Sequence, residues 1–300
     1  MFFKNCGMNN IEDWKKAGKL TAQAREFGKE QIKIGVSLLK ITEKIEEEIY
    51  KIGGKPAFPV QISVNDIAAH YNPGKDEAYT FKNGDLVKLD LGVHINGCIA
   101  DTAVTVDLGN NKAFIDAAEY ALKEAIKVGR PGTRLGDVGK VIEDCIKERG
   151  FNPVKNLSGH EIKMYEEHAG LNIPNYNNRD KTELKEGQII AIEPFATNGI
   201  GLIEEGKDSE IYKAVKQKST RDSIARDILL KIIADYKSLP FAKRWLIKKF
   251  PEFKVNYALR LLEREEILYH YKQLVEKSNG LVSQAEHTLI VEDKPFILTK

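Results

Sequence analysis

Apolar residues recur along this chain at two different intervals. Across residues 11–53 the interval is helical. The run SLLKITEKIEEEIYKIGG sets Leu38, Ile41, Ile45 and Ile49 three or four positions apart and then stops at paired glycines, which predicts amphipathic helix with a glycine terminus. Residues 112–128 (KAFIDAAEYALKEAIKV) and 135–149 carry the same interval and end at GRPG and at Gly150. Strand-like pieces are predicted around 157–164, 166–171 and 187–195. Residues 281–293 (LVSQAEHTLIVED) alternate as a half-buried strand does.

The sharpest alternation lies in residues 85–106, interrupted by Asn96-Gly97, the dipeptide that best fits a two-residue hairpin turn. With the turn there, Ile95 faces Cys98, Asp90 faces Ala103 and Asp101 faces Gly92. One face then carries Val87, Leu89, Leu91, Val93, Ala100, Val104 and Val106. The other carries both aspartates as diagonal neighbours, roughly 7–8 Å apart at Cα, with Gly92 leaving room beside them. His94 falls on the aspartate side near the turn, where solvent exposure is expected.

The pattern changes again over residues 205–277. Three short helical runs (DSIARDILLKIIADYKSL, FAKRWLIKKF, VNYALRLLEREEIL) precede ILYHYKQLVEKSNG, read as a hairpin. Three helices and a hairpin resemble a winged-helix unit. Because the same αβ pattern lies on both sides, this unit is predicted to be an insertion, dividing a core of residues 1–204 and 278–300.

Composition narrows the field only modestly. Three hundred residues with 42% hydrophobic content can bury a substantial core as one large domain or two smaller ones. The net charge of +2 gives no global polyanion signal. The insertion has 17 Lys or Arg against 11 Asp or Glu, but acids are interspersed, so a solvated surface is preferred over specific nucleic-acid binding. Cys6, Cys98 and Cys145 are odd in number and far apart, fitting neither a disulfide framework nor a zinc site, and point to a reducing cytoplasm. MFFKNCGMNN does not read as a signal peptide, and no apolar run is long enough to span a membrane.

Aspartates are depleted in strands, and a carboxylate facing a core is costly unless a cation meets it. Two on one face either share a proton, form a salt bridge or hold a metal. The rest of the chain bears on the choice. NLSGHEIKMYEEHAG supplies His160 and His168, GQIIAIEPF ends an apolar strand at Glu193, and SQAEHTLIV buries Glu286 in another. Two Asp, two Glu and one His form an oxygen-rich set whose four negative charges balance two divalent cations. Paired cations roughly 3.5–4 Å apart suit hydrolysis.

Asp90 and Asp101 with ten residues between them, SGHEI, HAG, IEPFAT, AEHTLIV and the upstream AFPVQISVNDIAAHYNP together resemble the methionine aminopeptidases of metallopeptidase family M24. The insertion resembles that of the type 2 enzymes, and the short N-terminal segment resembles the archaeal members. The resemblance covers essentially the whole chain. It implies a pita-bread fold: a curved antiparallel sheet in pseudo-two-fold halves, covered by helices, with the site between the halves. It also implies removal of the initiator methionine from nascent proteins, and hence possible work near the ribosome.

By the same resemblance, Asp90, Asp101, His160, Glu193 and Glu286 would hold two divalent metals (Co, Mn, Fe or Zn). Asp101 and Glu286 would bridge them, and a hydroxide between the metals would attack the first peptide bond. Glu193 would accept its proton, His168 would stabilise the oxyanion and His70 would bond the scissile amide nitrogen. Phe58 and Phe195 match positions lining the methionine pocket, and Gln61 stands where some members have a smaller residue. An X-Pro aminopeptidase or prolidase on this fold would need a large N-terminal domain, for which the residues before Asp85 are too few. A metal-free, translation-associated homologue would have lost ligands that are all present here.

Overall fold

The helical interval of residues 11–53 is realised as two helices, α1 (Ile11–Gln31) and α2 (Leu38–Lys51). A computed structural model describes residues 10–300; Cys6 and nearly all of the stretch read for a leader lie outside the described residues. Between the helices Gly35 takes φ +80° and its N–H donates to the Phe81 carbonyl at 2.7 Å, which turns the chain. Ser37 caps α2 by accepting the Lys40 N–H.

Next come β1 (Lys55–Pro56), β2 (Gln61–Val64), β3 (Ile67–Ala69), β4 (Leu86–Ile95) and β5 (Cys98–Asp107). The hairpin β4–β5 has the register read from the sequence, with Ile95 opposite Cys98, Asp90 opposite Ala103 and Gly92 opposite Asp101. Asn96 and Gly97 both have positive φ, 52° and 94°, as a type I′ turn requires. Leu89, Leu91 and Val93 pack with Leu20, Ile41, Ile45 and Ile49 of α1 and α2. A one-residue slip would put these residues on the aspartate face. At roughly 1.5–3 kcal/mol for each large apolar side chain buried, that alternative is not competitive.

The second half repeats the helix pair with α3 (Lys112–Val128) and α4 (Leu135–Glu148). There follow β6 (Asn152–Pro153), β7 (Ser158–Glu161), β8 (Asn172–Pro174), β9 (Ile189–Ile192) and β10 (Phe195–Thr197). The strand expected at 166–171 is irregular chain, and the short strand β8 follows it. Here His168 and Gly170 make a loop rather than a ladder, with Gly170 at φ +111°. The piece at 187–195 is broken at Glu193-Pro194, since proline offers no N–H to continue the ladder.

Residues 203–276 comprise β11 (Ile203–Ala214), α5 (Ser223–Tyr236), β12 (Phe241–Ala242), α6 (Lys243–Ile247), α7 (Glu252–Arg264) and β13 (Leu268–Glu276). The stretch read as a hairpin is one strand, β13. It pairs with β11 on one side and with β3 on the other. Its partner is thus distant in sequence, which local alternation could not show. A buried ion pair fastens this region to α2: Arg244 donates to both Glu46 oxygens at 2.8 and 3.0 Å, and Trp245 Nε1 donates to Glu46 at 2.9 Å.

The chain closes with β14 (Val282–Gln284), β15 (His287–Ile290) and β16 (Phe296–Ile297). The predicted strand at 281–293 is therefore two strands, parted at Ala285-Glu286. β14 joins β10 and β6, while β15 joins β9 and, beyond it, β7 and β8. Every pairing is antiparallel, and α3 and α4 pack their apolar faces on Ile173, Ile190, Ile192 and Leu289. Among the described residues no helix is long and apolar enough to cross a membrane.

Candidate metal centre

The five residues read as ligands come from five places in the fold. Asp90 and Asp101 lie on β4 and β5, and His160 lies on β7. Glu193 stands at the break after β9, and Glu286 stands between β14 and β15. Threonines tie the last segment to the hairpin. Thr105 Oγ1 accepts the Gln284 N–H at 2.9 Å and donates to the Gln284 carbonyl at 2.7 Å. Thr102 Oγ1 donates to the Glu286 carbonyl at 2.8 Å, and the Glu286 N–H donates to the Ala103 carbonyl at 3.0 Å. Strand breaks at Pro194 and Ala285 free Glu193 and Glu286 to turn toward the aspartates.

The side chains converge. Donor atoms of Asp101, His160 and Glu286 lie within 4.8 Å of one another. His160 Nε2 is 3.6 Å from Asp101 Oδ2 and 3.8 Å from Glu193 Oε1. These separations are too long for hydrogen bonds. They suit atoms sharing a cation, since donors bound at about 2.0–2.2 Å in tetrahedral array are about 3.4 Å apart. Asp90 Oδ1 and Asp101 Oδ1 are buried without a hydrogen-bond partner.

Electrostatics says the same. Burial first, and the neighbouring carboxylates next, push Asp90 up to about 7 and hold Asp101, Glu193 and Glu286 well above the usual carboxylate range. Burial, and then His168, hold His160 well below its ordinary value. A neutral imidazole among crowded acids is what a hard divalent cation requires. The residues present therefore fit a metal.

Two further histidines flank the cluster. The His168 ring meets His160 edge-on at 4.4 Å between centroids and is half exposed. His70 has φ +65°. Its N–H donates to Gln61 Oε1 at 2.7 Å, and its Nδ1 lies 3.1 Å from the Lys272 carbonyl. That contact assigns the proton to Nδ1 and leaves Nε2 as an acceptor. Loss of hydration, and then His168, lower its pKa to about 4.

Phe58 lines a small cavity beside these histidines, with Ile211, Pro240 and Tyr271 as its other apolar walls and Gln61 and Glu167 among its polar ones. Phe195 is elsewhere: it packs with Ala68, Val154, Ile203 and Val282, because the break at Pro194 sends β10 into a different sheet from β9. The room at Gly92 is taken by the Phe58 ring, whose Cε1 lies 2.4 Å from where a Cβ would stand. His94 is buried, contrary to expectation. Its Nδ1 accepts the Gly97 N–H at 3.2 Å, and its ring packs edge-on against Tyr165. His287 points away from the cluster to Thr299, and His270 stacks on Tyr212.

Sequence reading passed over two residues. Gln284 donates from Nε2 to Glu193 Oε2 at 3.2 Å; its place two residues before Glu286 was the available signal. Glu167 is buried, and its charge bears on all four clustered acids. An acid next to a histidine in a polar run gave no such signal.

Comparison with known proteins agrees with this geometry. The model of metallopeptidase family M24 matches residues 12–229. The chain belongs to metallopeptidase family M24. It is 50% identical over 286 residues to a methionine aminopeptidase of Pyrococcus abyssi, covering 95% of this chain and 97% of that one. It is 48% identical over 284 residues to that of Archaeoglobus fulgidus, covering 95% and 96%. Among solved structures, methionine aminopeptidase from Thermotoga maritima superposes at TM-score 0.71 with 25% identity over the full length of both chains. Prolidase from Pyrococcus furiosus superposes at 0.62 with 20% identity, 98% of this chain covering 64% of that one. The fold is the pita-bread fold of the family. Kinship with the archaeal enzymes over nearly the whole chain makes this M24 member a methionine aminopeptidase, a hydrolase, rather than a prolidase.

Proposed function

We propose that Asp90, Asp101, His160, Glu193 and Glu286 hold two divalent cations and that the enzyme removes initiator methionine from nascent chains in the cytoplasm, near the ribosome. The observation that carries the ligand set is the convergence of Asp101, His160 and Glu286, whose donor atoms lie within 4.8 Å of one another, with Glu193 Oε1 3.8 Å from His160 Nε2 and unpartnered buried oxygens on Asp90 and Asp101. Oxygen donors with one imidazole suit Mn, Fe, Co or Zn. Two such ions supply a polarised scissile carbonyl and water acidified toward about pH 7.

The protein's own groups do the rest. Glu193, anchored by the Gln284 amide, takes the proton of the attacking water and passes it to the leaving amine. His168, half exposed beside His160, donates to the carbonyl oxygen as negative charge grows there. His70, with its Nδ1 proton committed to the Lys272 carbonyl, accepts the scissile N–H at Nε2. Phe58 offers an aromatic wall to the unbranched thioether. Residues 205–277 form an inserted unit whose Ile211 and Pro240 close one side of the slot, so the insertion shapes the substrate site.

The test is hydrolysis by metal-reconstituted enzyme of methionyl-alanyl-serine against Xaa-Pro peptides, with Glu193→Gln as control. Methionine release that needs metal and drops by at least about 100-fold in the variant is expected. Equal turnover of Xaa-Pro peptides, or activity indifferent to chelation, would refute the reading.

A further inference from the structure

One acid at the centre has no task in that mechanism. Glu167 lies beside His168 and lines the same cavity as Phe58, yet it is only 6% exposed. Its carboxylate accepts no hydrogen bond among the described residues; the nearest basic atom is His168 Nε2, 4.0 Å away. A methionine thioether needs no anion in its slot. A carboxylate this buried, lining the cavity and accepting no hydrogen bond, has acceptor capacity that a donor on the occupant would fill and a purely apolar occupant would not.

The charge count is equally odd. Two divalent cations match four carboxylates, Asp90, Asp101, Glu193 and Glu286. Glu167 is a fifth carboxylate, and after burial its charge contributes to raising all four of them and the Tyr271 phenol across the cavity. The cavity has room for about one water as it stands, so Gln61 and Glu167 must make way for, or bind to, the tip of any longer side chain.

We propose that Glu167 is a specificity residue: it lines the slot for the N-terminal side chain and accepts a hydrogen bond from an unbranched side chain ending in a cationic or amide donor. The enzyme would then process N-termini with such side chains as well as methionine. This rests on the aminopeptidase reading above and refines its substrate class. The alternative role, holding the α-ammonium common to all substrates, would affect every peptide alike.

Ornithine and norleucine provide the test, since their side chains have equal numbers of heavy atoms and differ by a terminal ammonium against a methyl. The metal-reconstituted full chain, Glu167→Leu and the isosteric Glu167→Gln are assayed on ornithyl- and norleucyl-alanyl-serine. The ratio of kcat/KM for ornithyl over norleucyl peptide should fall about tenfold or more in Glu167→Leu, and by less in Glu167→Gln, as loss of a charge-assisted hydrogen bond predicts. An unchanged ratio overturns the proposal, even if both rates fall together. Calorimetry of ornithinamide and norleucinamide on the same three metal-loaded proteins reads the preference without turnover. If neither peptide is cut but ornithinamide binding weakens about tenfold in Glu167→Leu, the slot assignment stands and the hydrolytic reading fails. Equal amide affinities in wild type and Glu167→Leu overturn the slot assignment.

Discussion

Asp101 and Thr288 exchange two hydrogen bonds. The Asp101 N–H donates to Thr288 Oγ1, and the same hydroxyl donates back to the Asp101 carbonyl, both at 2.8 Å. The Thr288 hydroxyl thus does the work of a missing strand partner and locks the hairpin to the segment carrying Glu286. Thr288→Val keeps the side-chain volume and leaves two buried backbone groups unsatisfied. It should cost about 2–4 kcal/mol by urea unfolding. Metal titration of the variant should show weaker binding by about tenfold or more, as expected when groups that orient ligands are removed. An unaltered titration would dissociate this clasp from the metal centre.

Chelation should destabilise as well as inactivate. Buried carboxylates held well above their usual range are a folding cost that a bound cation offsets. Metal present at 100 times its dissociation constant adds about 2.7 kcal/mol to stability, or roughly 4 °C in Tm for a chain of this size. Calorimetric scans with and without chelator measure the difference. The Asp101→Asn variant should lose much of this metal-dependent gain.

His94 makes stability pH-dependent on the acid side. Burial, and then Lys55 and Lys237, lower its pKa to about 4, whereas the unfolded value is about 6.5. Between these values the unfolded chain binds the extra proton, so stability rises with pH through this window and is lost as pH falls. From pH 7 to pH 5 this one group should account for about 2 kcal/mol. His94→Gln, whose amide oxygen can still accept the Gly97 N–H, should show a correspondingly shallower decline in urea unfolding over that interval.

Glu46 and Arg244 form a buried pair, and breaking it from one side strands a charge. Arg244→Met should destabilise by about 3–5 kcal/mol. The double variant Glu46→Gln with Arg244→Met should recover part of that loss. If the double variant were as unstable as the single one, packing of the arginine stem rather than its charge would be responsible.

The hairpin was fully legible in the sequence because its information is local. Asn96-Gly97 fixes the turn, strict alternation fixes the register, and the aspartates violate the pattern only where the proposed metal centre lies. The proposed ligands His160, Glu193 and Glu286 stood out as polar interruptions of apolar strands, but nothing local reported their mutual distances. What stayed hidden depends on partners remote in sequence. β13 looks like a hairpin until β11 and β3 are beside it. His94 looks exposed until Tyr165 covers it. Phe195 looks like a pocket residue until Pro194 redirects its strand. Glu167 looks like surface until the cavity encloses it.

The contact between Gly92 and Phe58 has a consequence for divergence. The strand that carries Asp90 has a bare position into which the Phe58 ring is seated. On the roles proposed above for Phe58 and Asp90, recognition and catalysis would share one piece of backbone. A bulkier residue at 92, or a different ring at 58, would disturb both at once, so selection on one would be constrained by the other. New preferences would then arise most readily on the opposite wall, where residues 61 and 167 can change without moving the strand.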